Sequence, residues 1–243
     1  MKTKLMMTVT ALLLAVAASG ASEKRALKGF EEVEINGSPK VVYTQGTAFA
    51  VRVEGTQEAI DNIETTVQGR RLVVRNKGKY GPFNITFGDV GKAVVYVTSP
   101  DLLQVRLNGS GDFISDRRVD TDKLKIVLRG SGIIRFKDII CDHCTTELTG
   151  SGDVDVSRLE AMTSAVSLIG SGDVKVKEWR VDKTDITLTG SGDVKVHFAQ
   201  DCKTATCTLK GSGDIELSGH LEHYKGQKRG SGDIDTDKLT IEK

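Results

Sequence analysis

Seven copies of one short phrase, Gly-Ser-Gly, divide the second half of this 243-residue chain. They begin at Gly109, Gly130, Gly150, Gly170, Gly190, Gly211 and Gly230, spaced 21, 20, 20, 20, 21 and 19 residues apart. A near-constant period of this size marks a solenoid, in which each repeat is one coil stacked on the last. A Gly/Ser linker does not fit, because dense apolar segments lie between the copies.

Aligning the copies on their first Gly shows the kind of coil. Four residues on stand Phe113, Ile134, Val154, Val174, Val194, Ile215 and Ile234, and two further on Ser115, Phe136, Val156, Val176, Val196, Leu217 and Thr236. The residues between them are mostly charged: Ile114, Arg135, Asp155, Lys175, Lys195, Glu216 and Asp235. That alternation is a half-buried strand. A second strand precedes each turn, as in Val166/Leu168, Ile186/Leu188 and Cys207/Leu209. A third apolar site is expected at Ile139, Leu159, Trp179, Ala199 and Leu239. Two strands and a short third side per repeat predict an all-β fold, a single-stranded parallel β-helix or β-roll with rungs of about 20 residues.

The turns supply the expected structural sites: Gly109, Gly111 and Asp112; Gly150, Gly152 and Asp153; Gly170, Gly172 and Asp173; Gly190, Gly192 and Asp193; Gly211, Gly213 and Asp214; Gly230, Gly232 and Asp233. A tight corner needs positive φ, which Gly adopts freely. The Asp is expected to accept bonds from nearby backbone amides. It is read as a turn residue and not a calcium ligand, because the calcium-binding β-helix repeat has a period of about nine residues. The repeated Ser are architecture, since no nucleophile elbow precedes a helix.

Residues 1–20 read as a secretory signal peptide: Lys2 and Lys4 precede the apolar run Leu5–Ala18, and Ala18-Ser19-Gly20 offers small residues for cleavage. Without those two Lys, 32 basic residues face 33 acidic ones. That balance argues against nucleic acid or an anionic membrane as partner. Residues 21–29 form a lead-in, 30–108 an irregular β part and 109–243 the regular repeat, continuous with 30–108. In the irregular part, strands are expected around Val33/Ile35, Val41/Tyr43, Val51/Val53, 72–75, 83–87 and 93–98, with a helical turn over 57–62 capped by Thr56. Asn36-Gly37-Ser38-Pro39 reads as a degenerate copy of the later turns.

The order Phe30-x-x-Val33-x-Ile35-x-Gly37, then Val41–Tyr43-x-Gln45-Gly46, then Val51-x-Val53-x-Gly55 resembles the opening of a secreted bacterial family. So does Thr98-Ser99-Pro100-Asp101-Leu102 running into Leu107-Asn108-Gly109-Ser110-Gly111-Asp112. That family is the putative auto-transporter adhesin, head GIN domain. The resemblance covers roughly residues 30–240 and implies a β-helical fold, a cell-envelope location and no catalytic residues. The sequence leaves no room after the last repeat for a membrane β-barrel, so the auto-transporter role in the family name is not expected here.

The four cysteines fall as Cys141-x-x-Cys144 and Cys202-x-x-x-x-Cys207. Cys141 and Cys202 share a rung position about 14 Å apart, too far for one disulfide or one metal. In an exported chain two local disulfides are expected, with free buried thiols as the alternative. His220-x-x-His223 lacks a third ligand and reads as surface. No metal or cofactor site is expected. The charged outward column shows no acid in an unusual apolar setting, which argues against glycoside cleavage.

The expected function is therefore a non-enzymatic exported envelope protein, in the periplasm or on the surface of a Gram-negative cell. Its extended β-surface would act as an adhesin or scaffold toward a glycan or an envelope or host surface protein. A carbohydrate-binding or carbohydrate-active β-helix is the alternative. Assembly of like chains through the solenoid end is a third expectation.

Overall fold

A computed structural model describes residues 21–77 and 93–242. The signal-peptide reading of residues 1–20 and the strand expected at 83–87 lie outside the described residues. The remaining strand expectations of the irregular part fall on β2 (Glu32–Gly37), β3 (Lys40–Gln45), β4 (Ala50–Gly55), β6 (Arg71–Asn76) and β7 (Val94–Ser99).

The solenoid is right where the repeat is cleanest. Strands β9 (Asp112–Gly130), β10 (Ile133–Gly150) and β11 (Asp153–Gly170) each run a full rung and stack in parallel, β10 in register with β11 and, apart from a one-residue shift between Phe136 and Asp138, with β9. Later rungs divide at a corner into β12 (Asp173–Trp179) and β13 (Lys183–Gly190), β14 (Asp193–Gln200) and β15 (Thr204–Gly211), and β16 (Asp214–Leu221) and β17 (His223–Arg229). β18 (Ile234–Ile241) closes the stack against β16. Val154 pairs with Val174 and Val174 with Val194, so equivalent side chains form columns. Column members such as Ile134, Val174, Val194 and Ile215 are fully buried. So is the column Leu107, Leu128, Leu168, Leu188 and Leu209. Burying one such side chain stabilises by roughly 1.5–3 kcal/mol, so the aliphatic ladders carry the fold.

Each rung is a triangle with three corners. At the Gly-Ser-Gly corner the first Gly carbonyl accepts two amides from the next turn: Ser171 N at 2.9 Å and Gly172 N at 3.1 Å both bond Gly150 O. The same pair recurs from Gly37 to Gly190, so Asn36-Gly37-Ser38-Pro39 is indeed the first copy of the turn, and Gly37 is in register with Gly109. The first Gly of each later turn has φ between 130° and 136°. The second Gly is required for a different reason. A Cβ on Gly172 would lie under 3.0 Å from the Gly152 carbonyl oxygen, because successive turns stack backbone on backbone. The turn Asp plays a smaller part than expected. Among the described residues, Asp193 and Asp214 accept an amide from the next Asp, at 3.4 and 2.8 Å, and Asp233 accepts the amide of Ile234.

The third side departs from the expected pattern. Ile139 and Leu159 point inward, but Glu178 and Phe198 follow them in the column, while Trp179 and Ala199 are half-exposed. The pairing shifts register between Glu178 and Trp179. Arg180 and Asp201 adopt positive φ, 54° and 49°, and move the corner along the chain. Alternation from the glycine runs unbroken through Glu178 here, so the nine-residue count that finds Ile139 and Leu159 overshoots the inward position by one residue.

The N-terminal half does more than open the coil. The β2–β3 rung packs against β8 (Gln104–Gly109) and β9 on one side and against β6 and β7 on the other. The coil first in sequence is thus second in space. Antiparallel strands then cover the open edge: β4 on β7, β5 (Ile63–Gln68) on β6, and β1 (Ala21–Arg25) on β4. Helix α1 (Gln57–Asp61) starts where expected, with Thr56 Oγ1 accepting the Ala59 amide at 3.2 Å, and buries Ala59 and Ile60 over the core. Antiparallel cover removes the unpaired parallel edge that would template association. At the other end the inward positions change character. Tyr224, Gly226 and Lys228 continue the columns of Ala205, Cys207 and Leu209. The Tyr224 hydroxyl lies over Gly226, where only the missing side chain leaves it room. Lys228 Nζ bonds Asp233 at 2.9 Å.

Candidate functional site

A shallow open groove of about 370 Å³ crosses four rungs on the outer face. Period-2 geometry builds it. Outward residues two apart form parallel columns, Asp155/Lys175/Lys195/Glu216 on one wall and Ser157/Lys177/His197/Ser218 on the other. The floor is the backbone at Val156, Val176 and Val196, whose side chains point to the core. Lys195 Nζ bonds Glu216 at 3.0 Å, which raises the lysine and lowers the carboxyl from their ordinary values. His197 Nδ1 lies 3.0 Å from Ser218 Oγ, and partial burial lowers its pKa. Arg135 and Asp155 are register partners of opposite charge but do not form an ion pair. Lys175 stands exposed among these groups.

A second groove at the last rungs collects Asp193, Asp214, Asp233, Asp235, Asp237 and Glu216. Glycoside cleavage needs one such acid held protonated by an apolar setting. Here Lys228 lowers Asp233, and Lys195 with Lys238 lowers Glu216. These acids follow the stacking of the turns. Among the described residues no group of His, Cys, Asp and Glu is arranged to hold a metal, and His220 and His223 are exposed.

Two features escaped the sequence reading. Along the second corner runs a ladder of ion pairs: Arg118–Asp138 and Asp138–Arg158, both 2.8 Å, then Arg158–Glu160 and Glu160–Arg180, both 2.7 Å. Arg158 also lies over the Trp179 ring at 5.6 Å. Networked pairs of this kind are worth more than isolated surface pairs. The second feature is Glu178, 0% exposed in the middle of the core. Burial raises its pKa to about 7, against the lowering effect of bonds from Thr184 and Ser164. Thr184 Oγ1 lies 2.5 Å from its Oε2, while Oε1 has no partner. An acid in an unusual apolar setting therefore exists, but it faces inward, away from either groove.

All four cysteines are buried and carry free thiols. Cys141 and Cys144 interact directly: the contact lowers the Cys141 pKa and, with burial, raises Cys144 well above its ordinary value. Cys202 instead lies 3.4 Å from the Gln200 carbonyl, and burial pushes Cys207 up to about 12.

Comparison with known proteins agrees with this architecture. The family model described as putative auto-transporter adhesin, head GIN domain, matches residues 29–204 and 164–243. A putative adhesin from Bacteroides fragilis superposes with a TM-score of 0.72 at 20% identity, covering 90% of this chain and 97% of that one. A putative lipid binding protein from Parabacteroides distasonis gives 0.70 at 24% identity, covering 89% and 94%. A putative adhesin from Parabacteroides merdae gives 0.72 at 17% identity, covering 90% and 97%. No curated protein matches. With glycine turns, stacked columns and a family model spanning nearly all described residues, the chain belongs to the family described as putative auto-transporter adhesin, head GIN domain.

Proposed function

We propose that the protein is a non-enzymatic, exported cell-envelope protein whose solenoid offers its outer face as an adhesive or scaffolding surface. The observation that carries this reading is the outer groove: one continuous shallow strip across four rungs, with charges of both signs and a backbone floor. Such a strip suits an elongated glycan or an extended protein segment better than a small substrate, which is gripped in a deeper, mostly apolar cavity. The family name, and the names of two of the structural relatives, point the same way. Fold alone does not carry function, so the surface chemistry must be tested directly.

The test is a screen of glycans and envelope proteins against the chain, followed by charge reversal at Lys175→Glu and Lys195→Glu. Both side chains are exposed in the groove. Loss of two favourable contacts and gain of two repulsive ones is expected to weaken binding at least about tenfold, since 1.4 kcal/mol suffices for that. Unchanged, saturable binding by the double variant would exclude this groove as the contact surface.

A further inference from the structure

The rung's corner geometry separates the two cysteine pairs that look alike in sequence. At the corner before the strand that leads into each Gly-Ser-Gly, two outward residues are flanked by two inward ones. The inward pairs are Thr121/Leu124, Cys141/Cys144, Ala161/Ser164, Val181/Thr184 and Cys202/Ala205. The two flanking side chains lie three residues apart and are both buried on the core side of the same corner, and in the β10 rung Cys141 and Cys144 interact directly. Only the β10 rung places cysteines at both sites. In the rung of Cys202 the other flanking residue is Ala205, and Cys207 lies two residues farther along β15, in the separate column of Ile186.

We propose that Cys141 and Cys144 are a disulfide site that closes in an oxidising compartment and staples the β10 corner, while Cys202 and Cys207 remain thiols. The neighbours leave room for closure. Ala161 and Ser164, both small, are the register partners of Cys141 and Cys144 in the next rung. Access comes from the Cys141 side, next to exposed Asp142 and His143. With a small-molecule disulfide such as oxidised glutathione, the Cys141 thiolate attacks one sulfur and releases one glutathione thiolate. The Cys144 thiolate then attacks the Cys141 sulfur and releases the second. Two electrons pass from the cysteine pair to the oxidant, and the two thiol protons end on two glutathione molecules. The staple is independent of the adhesive reading.

The test treats the reduced, folded chain with oxidised glutathione, then unfolds it in iodoacetamide and maps peptide masses. The expected result is an unalkylated Cys141–Cys144 peptide lighter by two hydrogens, with Cys202 and Cys207 both alkylated. Cys144→Ser should leave Cys141 either alkylated or as a glutathione adduct. The oxidised wild type should melt above its reduced form, and Cys141→Ser should show no such difference. Full alkylation of Cys141 and Cys144 after oxidation, or a bridge between Cys202 and Cys207, would overturn the proposal.

Discussion

Gly170→Ala is expected to destabilise the protein by about 3–5 kcal/mol, a rare size for a one-carbon change at a surface turn. Two effects add. The φ of 134° at Gly170 lies where an L side chain strains the backbone. The new Cβ would also sit under 3.0 Å from the Gly150 carbonyl oxygen, and backbone cannot rotate away as a side chain can. That carbonyl accepts both Ser171 N and Gly172 N, so moving it loosens the ladder that joins the two rungs. The neighbouring Ser171→Ala is the control. Its side chain is exposed, and its loss should change stability by less than about 0.5 kcal/mol. Urea unfolding of the two variants decides the matter. A Gly170→Ala midpoint equal to that of Ser171→Ala would mean that the turns do not stack as described.

The second large effect concerns pH. Glu178 has its folded pKa raised by burial to about 7, against an ordinary value of 4.5. A raised carboxyl gives stability that is complete below the unfolded value and is lost as pH climbs through the folded one. The window is therefore about pH 4.5 to 7, and the loss across it is roughly 3 kcal/mol at about 1.4 kcal/mol per pH unit. Glu178→Gln keeps the shape without the titration. Relative to wild type, the variant should gain about that much between pH 4.5 and 8, whatever its offset at low pH. The nearby thiols of Cys144, Cys202 and Cys207 are all shifted upward, so they do not titrate in this window. Other groups are common to both proteins and cancel in the difference. A wild-type-minus-variant difference that stays constant from pH 4.5 to 8 would show that Glu178 is not ionising in a buried site.

Much of this molecule was legible in the sequence because its period is carried by residues with no substitute. Gly109, Gly130 and their successors mark the corner, and alternation from each glycine places Val154, Val174 and Val194 in one column, as the pairing shows. The third side was not legible to the same depth. Its corner includes left-handed residues at Arg180, a type seldom found at positive φ, and at Asp201, a type that tolerates it but is too common in this chain to mark a corner. Counting therefore placed Trp179 inward, where Glu178 stands. The one available signal was Glu178 itself, two residues past Val176 in unbroken alternation. The N-terminal order was hidden for another reason. That β6 and β7 lie outside the β2–β3 rung depends on long-range pairing, which local pattern does not encode. The outer groove was half visible: the charged column at Asp155, Lys175, Lys195 and Glu216 could be counted out, while its shape required the register.

Cross-linking between rungs probes the stacking most directly. Asp155 and Lys175 are register partners on adjacent rungs, and Lys195 lies one rung farther. Parallel neighbours are about 4.8 Å apart, within disulfide reach, whereas a two-rung span is about 9.6 Å and beyond it. Asp155→Cys with Lys175→Cys should therefore close a bridge on mild oxidation, located by peptide mass. Asp155→Cys with Lys195→Cys should leave both thiols open. Equal closure of the two pairs, or closure of the second alone, would contradict a solenoid wound one coil per glycine turn.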